Sequence, residues 1–289
     1  MKGKMTWEET IEYIRTQPEY KDLVEKAYFD ANLELNVFRF GKSEEFEETL
    51  NIIQNHVPKT KNLLDIGCGN GISAVNFALK GYSVTAVEPD ESTTVGAGAI
   101  KILKEKLNLN KLEIFEDFAE NIKFNDNTFD IVYVRQAMHH ANNLNQFLKE
   151  CVRVLKPNGL LLTIRDHVIL NEDDKQWFLK EHVLHKYYNG ENAFTAQDYK
   201  NAIEMAGAKI LNELKYYDSV INYFPFTMKE INQRRENKIF KEKQKLKNKL
   251  GVFSKLPIVW FLYKKLIKFK PLNENDIAGR MYSYIAIKK

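Results

Sequence analysis

Cysteine is nearly missing from this chain: two residues of 289, Cys68 and Cys151. Two cysteines make no disulfide framework, which excludes a small disulfide-stapled domain and leads us to expect a reducing, cytoplasmic setting. Long apolar runs are missing too. The longest, 256–263, falls far short of the roughly 20 residues a membrane-spanning helix needs. Residues 1–15 mix acids and bases and contain no apolar signal-peptide core. There is no internal repeat, and the net charge is only +4. That small total hides an uneven spread: residues 229–270 hold 14 Lys/Arg against 3 Glu, leaving the remainder near −7.

What is present is enough apolar material, 44% of residues, for one α/β domain with additions. Residues 1–60 read as a helical cap, with apolar positions Ile11, Ile14, Leu23, Val24, Ala27 and Tyr28 at helical spacing and Ser43 as the N-cap of a helix ending near Asn55. From residue 61 the rhythm becomes strand, turn, helix. Strands are expected at 62–66, 84–88, 112–115, 129–134, 160–164, 210–214 and 282–287, with helices at 72–80, 97–107, 145–155 and 195–206. Alternation of this kind predicts a doubly wound, Rossmann-like α/β fold: seven strands, mostly parallel, with helices on both faces. The core is assigned to 61–217 and its last strand to 280–289; 218–279 is a basic helical insertion, read as a lid.

The chemistry starts at Leu63-Leu64-Asp65-Ile66-Gly67-Cys68-Gly69-Asn70-Gly71, a strand running into a glycine-rich turn that opens a helix. Glycines permit a sharp turn and a close ligand approach, and in doubly wound folds this turn lies where ligands bind. A dinucleotide site would need G-x-G-x-x-G; here the spacing is Gly67-x-Gly69-x-Gly71, which disfavours a nicotinamide-dependent oxidoreductase. Glu88, at the end of the second strand and about 20 residues on, is placed to accept from ribose hydroxyls. Further motifs follow at Glu116-Asp117-Phe118-Ala119-Glu120, at 127–140 ending Arg135-Gln136-Ala137-Met138-His139-His140, and at 154–160.

Together these motifs resemble, over roughly residues 44–215, class I S-adenosylmethionine-dependent methyltransferases (the type 11/25 kind). The resemblance implies S-adenosylmethionine as cofactor and S-adenosylhomocysteine as product. It places Gly67, Gly69, Asn70 and Gly71 against the methionine and ribose, Asp65 at the amino-acid end, Glu88 on the ribose, Asp117 and Phe118 on the adenine, and Arg135 and Gln136 beside the cofactor. The segments 164–223 and Ala278-Gly279-Arg280-Met281-Tyr282-Ser283, with Tyr28-Phe29 and Arg39-Phe40, look like methyltransferases of bacterial surface-polysaccharide clusters. That implies O-methylation of a sugar, or of a phosphate-type group on one, with Tyr28 and Arg39 capping the cofactor.

A hydroxyl acceptor needs a base near neutral pH, and histidine suits it. His140 is the first choice, oriented by Asp166, and His139 the second. Arg165, His167, His185 and Tyr187, with Tyr28 and Gln136, are expected to line a polar acceptor pocket. His182 and His185, spaced i, i+3 on one expected helix, raise a metal reading with His167, but no consistent ligand set accompanies them, so no metal is assigned. The partner is then a small-molecule or glycan-linked acceptor. The basic, aromatic-rich 229–270 suits self-packing, peripheral contact with the inner face of an anionic membrane, or a nucleotide-linked substrate; with no known RNA-binding module, nucleic acid is set aside. Alternatives are a quinone or lipid acceptor and, more remotely, a non-catalytic cofactor-binding partner protein.

Overall fold

The computed structural model describes residues 5–289; the first four residues of the expected N-terminal cap lie outside them. The strands are β1 (Asn62–Ile66), β2 (Ser83–Val87), β3 (Leu112–Phe115), β4 (Phe129–Arg135), β5 (Leu155–Ile169), β6 (Phe194–Thr195), β7 (Ala208–Leu214) and β8 (Met281–Lys288). The sheet runs β3-β2-β1-β4-β5-β8-β7, and two-residue β6 pairs beside the end of β5. β1 to β5 are parallel, and β8 lies antiparallel between β5 and β7. This is the expected seven-stranded, mostly parallel doubly wound sheet plus one short added strand.

The strand sequences explain the burial. Successive side chains point to opposite faces, so Leu63 enters a core with Phe40, Phe46 and Phe77 while Leu64 enters another with Val132 and Leu148. Both faces are covered by helices, which is why β1 and β4 read as near-continuous apolar runs. Helix Ile72–Leu79 follows β1 and helix Leu144–Val154 leads into β5, capped by Asn143. Strand order reverses at β1, flanked by β2 and β4, and that switch point is where open α/β sheets bind ligands.

The cap consists of helices Trp7–Arg15, Lys21–Lys26, Leu33–Gly41 and Glu44–His56, with Ser43 accepting from Phe46 N as expected of an N-cap. Its first helix packs onto the segment after β5 through Trp7–Tyr188 and Tyr13–Tyr187 ring contacts. The expected single helix face carrying His182 and His185 is not formed. Helix Glu172–Glu181 ends with His182 at its C-cap, and a separate short helix, His185–Tyr188, follows.

The 218–279 insertion divides in two. Its start, helix Val220–Tyr223, belongs to the core: Ile221 is fully buried, and Asn222 bridges Leu214 O, Lys215 O and Ser283 Oγ. The protruding part is a helical hairpin, Met228–Leu250 and Pro257–Leu266, joined by a 3-10 turn. No helix among the described residues is long and apolar enough to cross a membrane.

Candidate active site

A cavity of about 850 Å³ opens over the carboxyl ends of β1, β2 and β4 and extends past β5. The glycine turn forms one end. Gly67, Gly69 and Gly71 all have positive φ, at 64°, 55° and 80°. A Cβ on Gly67 would meet the Ala137 Cβ at 2.6 Å, and one on Gly71 would meet Ile100 Cγ1 at 2.7 Å. The turn therefore requires glycine for its backbone and for its closeness to β4 and the next helix. Gly67, Gly69 and Asn70 line the cavity, whereas Gly71 packs behind it. Asn70 also donates to Tyr28 O at 2.8 Å, tying the cap to the turn.

Glu88 stands across from the turn. One carboxylate oxygen accepts from Gly69 N at 2.7 Å and the other from Asp90 N at 3.0 Å. Burial raises its pKa to about 7 against those hydrogen bonds. Asp65 is fully buried behind Ser73, whose hydroxyl donates to it at 2.6 Å, and its second oxygen has no hydrogen-bond partner. Burial lifts Asp65 to about 7 as well. Asp117 and the largely exposed Phe118 line the same end. An S-adenosylmethionine fits this donor set: a glycine cradle without Cβ atoms, a carboxylate after β2 for ribose hydroxyls, and an acid with an apolar ring after β3 for adenine.

Arg135 lines the cavity from the end of β4, but its charge is committed inward. Nε and Nη2 donate to Glu45 at 2.6 and 3.0 Å, and Glu45 is fully buried. Arg165 Nη1 lies 3.6 Å from the same carboxylate and donates to Ile221 O. The sequence marks Glu45 only as a first-turn acid of its helix, so this partnership was not legible from local pattern. Arg39 does not reach the cavity. It pairs with Asp30 and Glu25, and the expectation that it caps the cofactor carboxylate finds no geometric support. Tyr28 is buried behind the wall, stacked on Phe224, and does not line the cavity.

The other end of the cavity is a histidine cluster. A register shift in β5 between Thr163 and Asp166, with Arg165 at φ 61°, sends Arg165 toward Glu45 and Asp166 toward β4. Asp166 Oδ1 accepts from both the backbone N and Nδ1 of His139, at 3.1 and 3.0 Å. Asp166 therefore orients His139, not His140, which corrects the expected pairing: the peptide N–H of His139 already faces Asp166, so the nearer ring follows. His140 sits against Gly190, with Nδ1 3.2 Å from the carbonyl oxygen. A carbonyl only accepts, so Nδ1 carries the proton and Nε2 keeps its lone pair. His167 makes the same kind of contact, Nδ1 to Gly279 O at 2.7 Å. Gln136, Arg165, His167 and His182 also line the cavity, while His185 and Tyr187 do not; Tyr187 packs on Tyr13 and Tyr20 of the cap.

Glu191, in the loop before β6, is the residue the sequence reading missed. It is buried, 3.4 Å from His139 Nε2, 4.0 Å from His140 Nε2 and 3.9 Å from His182 Nδ1. Burial alone would raise it, but the surrounding histidines hold it below the usual carboxylate range. For His139 burial disfavours the cation, yet Asp166 and Glu191 outweigh it and raise the pKa to about 9. His140 goes the other way: enclosure by the cavity walls, then the charge on His139, lower it to about 4. Its side chain is 38% exposed and lines the cavity. Burial keeps His167 neutral. Among the described residues one trio of metal-type donors converges, His139, His167 and Glu191, within 4.8 Å of one another.

Residues 64–163 match the family described as a methyltransferase domain. The chain is 34% identical over 100 residues to a ubiquinone biosynthesis O-methyltransferase of Rickettsia prowazekii, covering 35% of this chain and 38% of that protein. The corresponding protein of Rickettsia typhi is 25% identical over 205 residues, covering 64% and 79%. The first of these alignments thus spans well under half of its relative's length. The geranyl diphosphate C-methyltransferase of Streptomyces coelicolor A3(2), solved with S-adenosyl-L-homocysteine, shares the fold at TM-score 0.54 and 12% identity, over 83% of this chain and 75% of that one. Glycine cradle, switch-point position and family match agree: residues 64–163 match a methyltransferase domain, and the residues around the cavity fit S-adenosylmethionine.

Proposed function

We propose that this chain transfers a methyl group from S-adenosylmethionine to an oxygen of a small, hydroxyl-bearing acceptor such as a sugar or sugar-linked group. When bound, the cofactor supplies a methyl already made electrophilic by its sulfonium. The chain must then align the acceptor and remove a proton from it. The observation that carries the reading is His140: its Nδ1 faces Gly190 O, leaving the Nε2 lone pair unprotonated near neutral pH, and it shares one cavity with the glycine turn. His139, held between Asp166 and Glu191, keeps its own proton and acts as a fixed cation beside the base.

A quinone or lipid acceptor at a membrane surface is the second reading, favoured by two observations. The Rickettsia relatives are named for ubiquinone biosynthesis. The hairpin also presents exposed Val252, Phe253, Leu256, Phe261 and Leu266 among lysines, a surface suited to an anionic bilayer at the inner face of a membrane. The deciding experiment supplies methyl-labelled S-adenosylmethionine and a bacterial extract to the pure protein and counts soluble-sugar, polysaccharide, lipid, nucleic-acid and protein fractions. Label in the sugar or polysaccharide fractions, lost in His140→Ala, supports the first reading. Label in lipid transfers the assignment to the second, and no label in any fraction removes both.

A further inference from the structure

We infer that His139, His167 and Glu191 form a binding site for a divalent transition-metal ion of the zinc class, open toward the acceptor cavity. The site's part in catalysis rests on the methyl-transfer reading; its binding of metal does not. Three chain segments supply the donors: the turn after β4, the end of β5, and the loop before β6. One donor atom from each lies within 4.8 Å of the other two, close enough for small side-chain shifts to seat an ion, and all three residues are buried.

The surrounding contacts are those a metal site needs. Asp166 holds His139 Nδ1 at 3.0 Å, and Gly279 O holds His167 Nδ1 at 2.7 Å. Each imidazole is thereby fixed in orientation, the arrangement in which a metal-bound histidine has its other nitrogen engaged by a carboxylate or carbonyl; His139, a cation in the metal-free protein, would release its Nε2 proton as the ion takes that place. His139 Nε2 points at Glu191 Oε2, 3.4 Å away. The second oxygen of Asp166 is buried with no hydrogen-bond partner, so the cluster holds more negative charge than its polar contacts answer. A divalent cation would answer it.

Two imidazoles and a carboxylate select the ion. Magnesium and calcium prefer all-oxygen shells, whereas a His2Glu set with an open position suits zinc. His182, with Nδ1 3.9 Å from Glu191, stands next in reach. The open position faces the cavity that all four residues line. There the ion would supply Lewis-acid polarisation of the acceptor hydroxyl: its proton would go to His140 Nε2 and its oxygen would take the methyl as the sulfonium methyl–sulfur bond breaks, releasing S-adenosylhomocysteine.

The test begins with the chelator-treated full-length protein, dialysed against Zn2+ and counted for bound metal, with the visible spectrum of Co2+ as a second readout. The expected result is one ion per chain, lost in His167→Gln and in Glu191→Gln and weakened about tenfold or more in Asp166→Asn. S-adenosylhomocysteine binding, measured by calorimetry on the same variants, should persist and show that they are folded. No retained metal, or retention unchanged in both ligand variants, overturns the site. If metal binds but no labelled methyl is transferred to any acceptor, the methyl-transfer reading fails and the site stands. If methyl transfer proceeds in a protein that retains no metal, the site falls and that reading stands.

Discussion

Asp166 grips His139 at two atoms, the peptide N–H at 3.1 Å and ring Nδ1 at 3.0 Å, and makes neither contact with His140. One carboxylate thus fixes both the backbone and the ring of the turn after β4. Of the adjacent histidines, one becomes a buried, doubly held cation and the other faces the cavity with a free ring nitrogen. That asymmetry gives the two histidines different chemistry.

His140→Ala should lower kcat by about a hundredfold to ten-thousandfold, the usual worth of a positioned base. KM for S-adenosylmethionine should stay near its original value, because the glycine turn is at the other end of the cavity. Steady-state kinetics on the acceptor found by fractionation checks this. An unchanged kcat would remove His140 as the base.

Cofactor affinity should depend on pH through Glu88. Its folded pKa of about 7 lies above that of an unfolded glutamate, so the cofactor-free fold gains stability from Glu88 at low pH and loses it as pH rises through about 7. Ribose hydroxyls donate best to the ionised form. Affinity for S-adenosylhomocysteine should therefore weaken as pH falls through about 7, and Glu88→Gln should bind more weakly with a flatter profile. Calorimetry on either side of that value decides it; an equally steep profile in the variant would refute the assignment.

Glu45 should matter to folding more than its place in a first helical turn suggests. Glu45→Gln leaves Arg135 and Arg165 without their shared counter-charge in a buried site. Breaking a buried pair in this way costs about 3–5 kcal/mol. Urea unfolding should show a lower midpoint at unchanged slope. A variant as stable as the parent would mean that these arginines find other partners.

The hairpin should bind membranes through its turn and its second helix. Phe253 and Leu266 are 67% and 82% exposed, beside a run of lysines. Flotation with vesicles containing anionic lipid should carry the protein upward, less so in high salt, and Phe253→Ser with Leu266→Ser should release it. Equal flotation of parent and variant would assign the surface to something other than a bilayer.

The cofactor end was legible because it is local. A strand, three glycines at fixed spacing and an acid at the end of the next strand are set by neighbours in sequence, and the structure keeps them together at the switch point. The N-cap at Ser43 was legible for the same reason, accepting from a backbone N–H three residues on. The acceptor end was not. His182 and His185 look like partners on one helix, yet a helix end falls between them. Arg39 looks free for a ligand until Glu25 and Asp30 fold beside it.

The sequence by itself therefore determined the doubly wound sheet, the glycine cradle and the acids after β2 and β3. These follow from strand and helix periodicity and from backbone angles that only glycine adopts readily. Only the tertiary structure decided that Asp166 serves His139, that Glu45 is shared by two arginines, and that Glu191 joins the histidines from a loop 51 residues beyond His140. Charge pairing in a buried site depends on which segments the sheet order makes adjacent, and strands distant in sequence become neighbours only once the sheet is assembled.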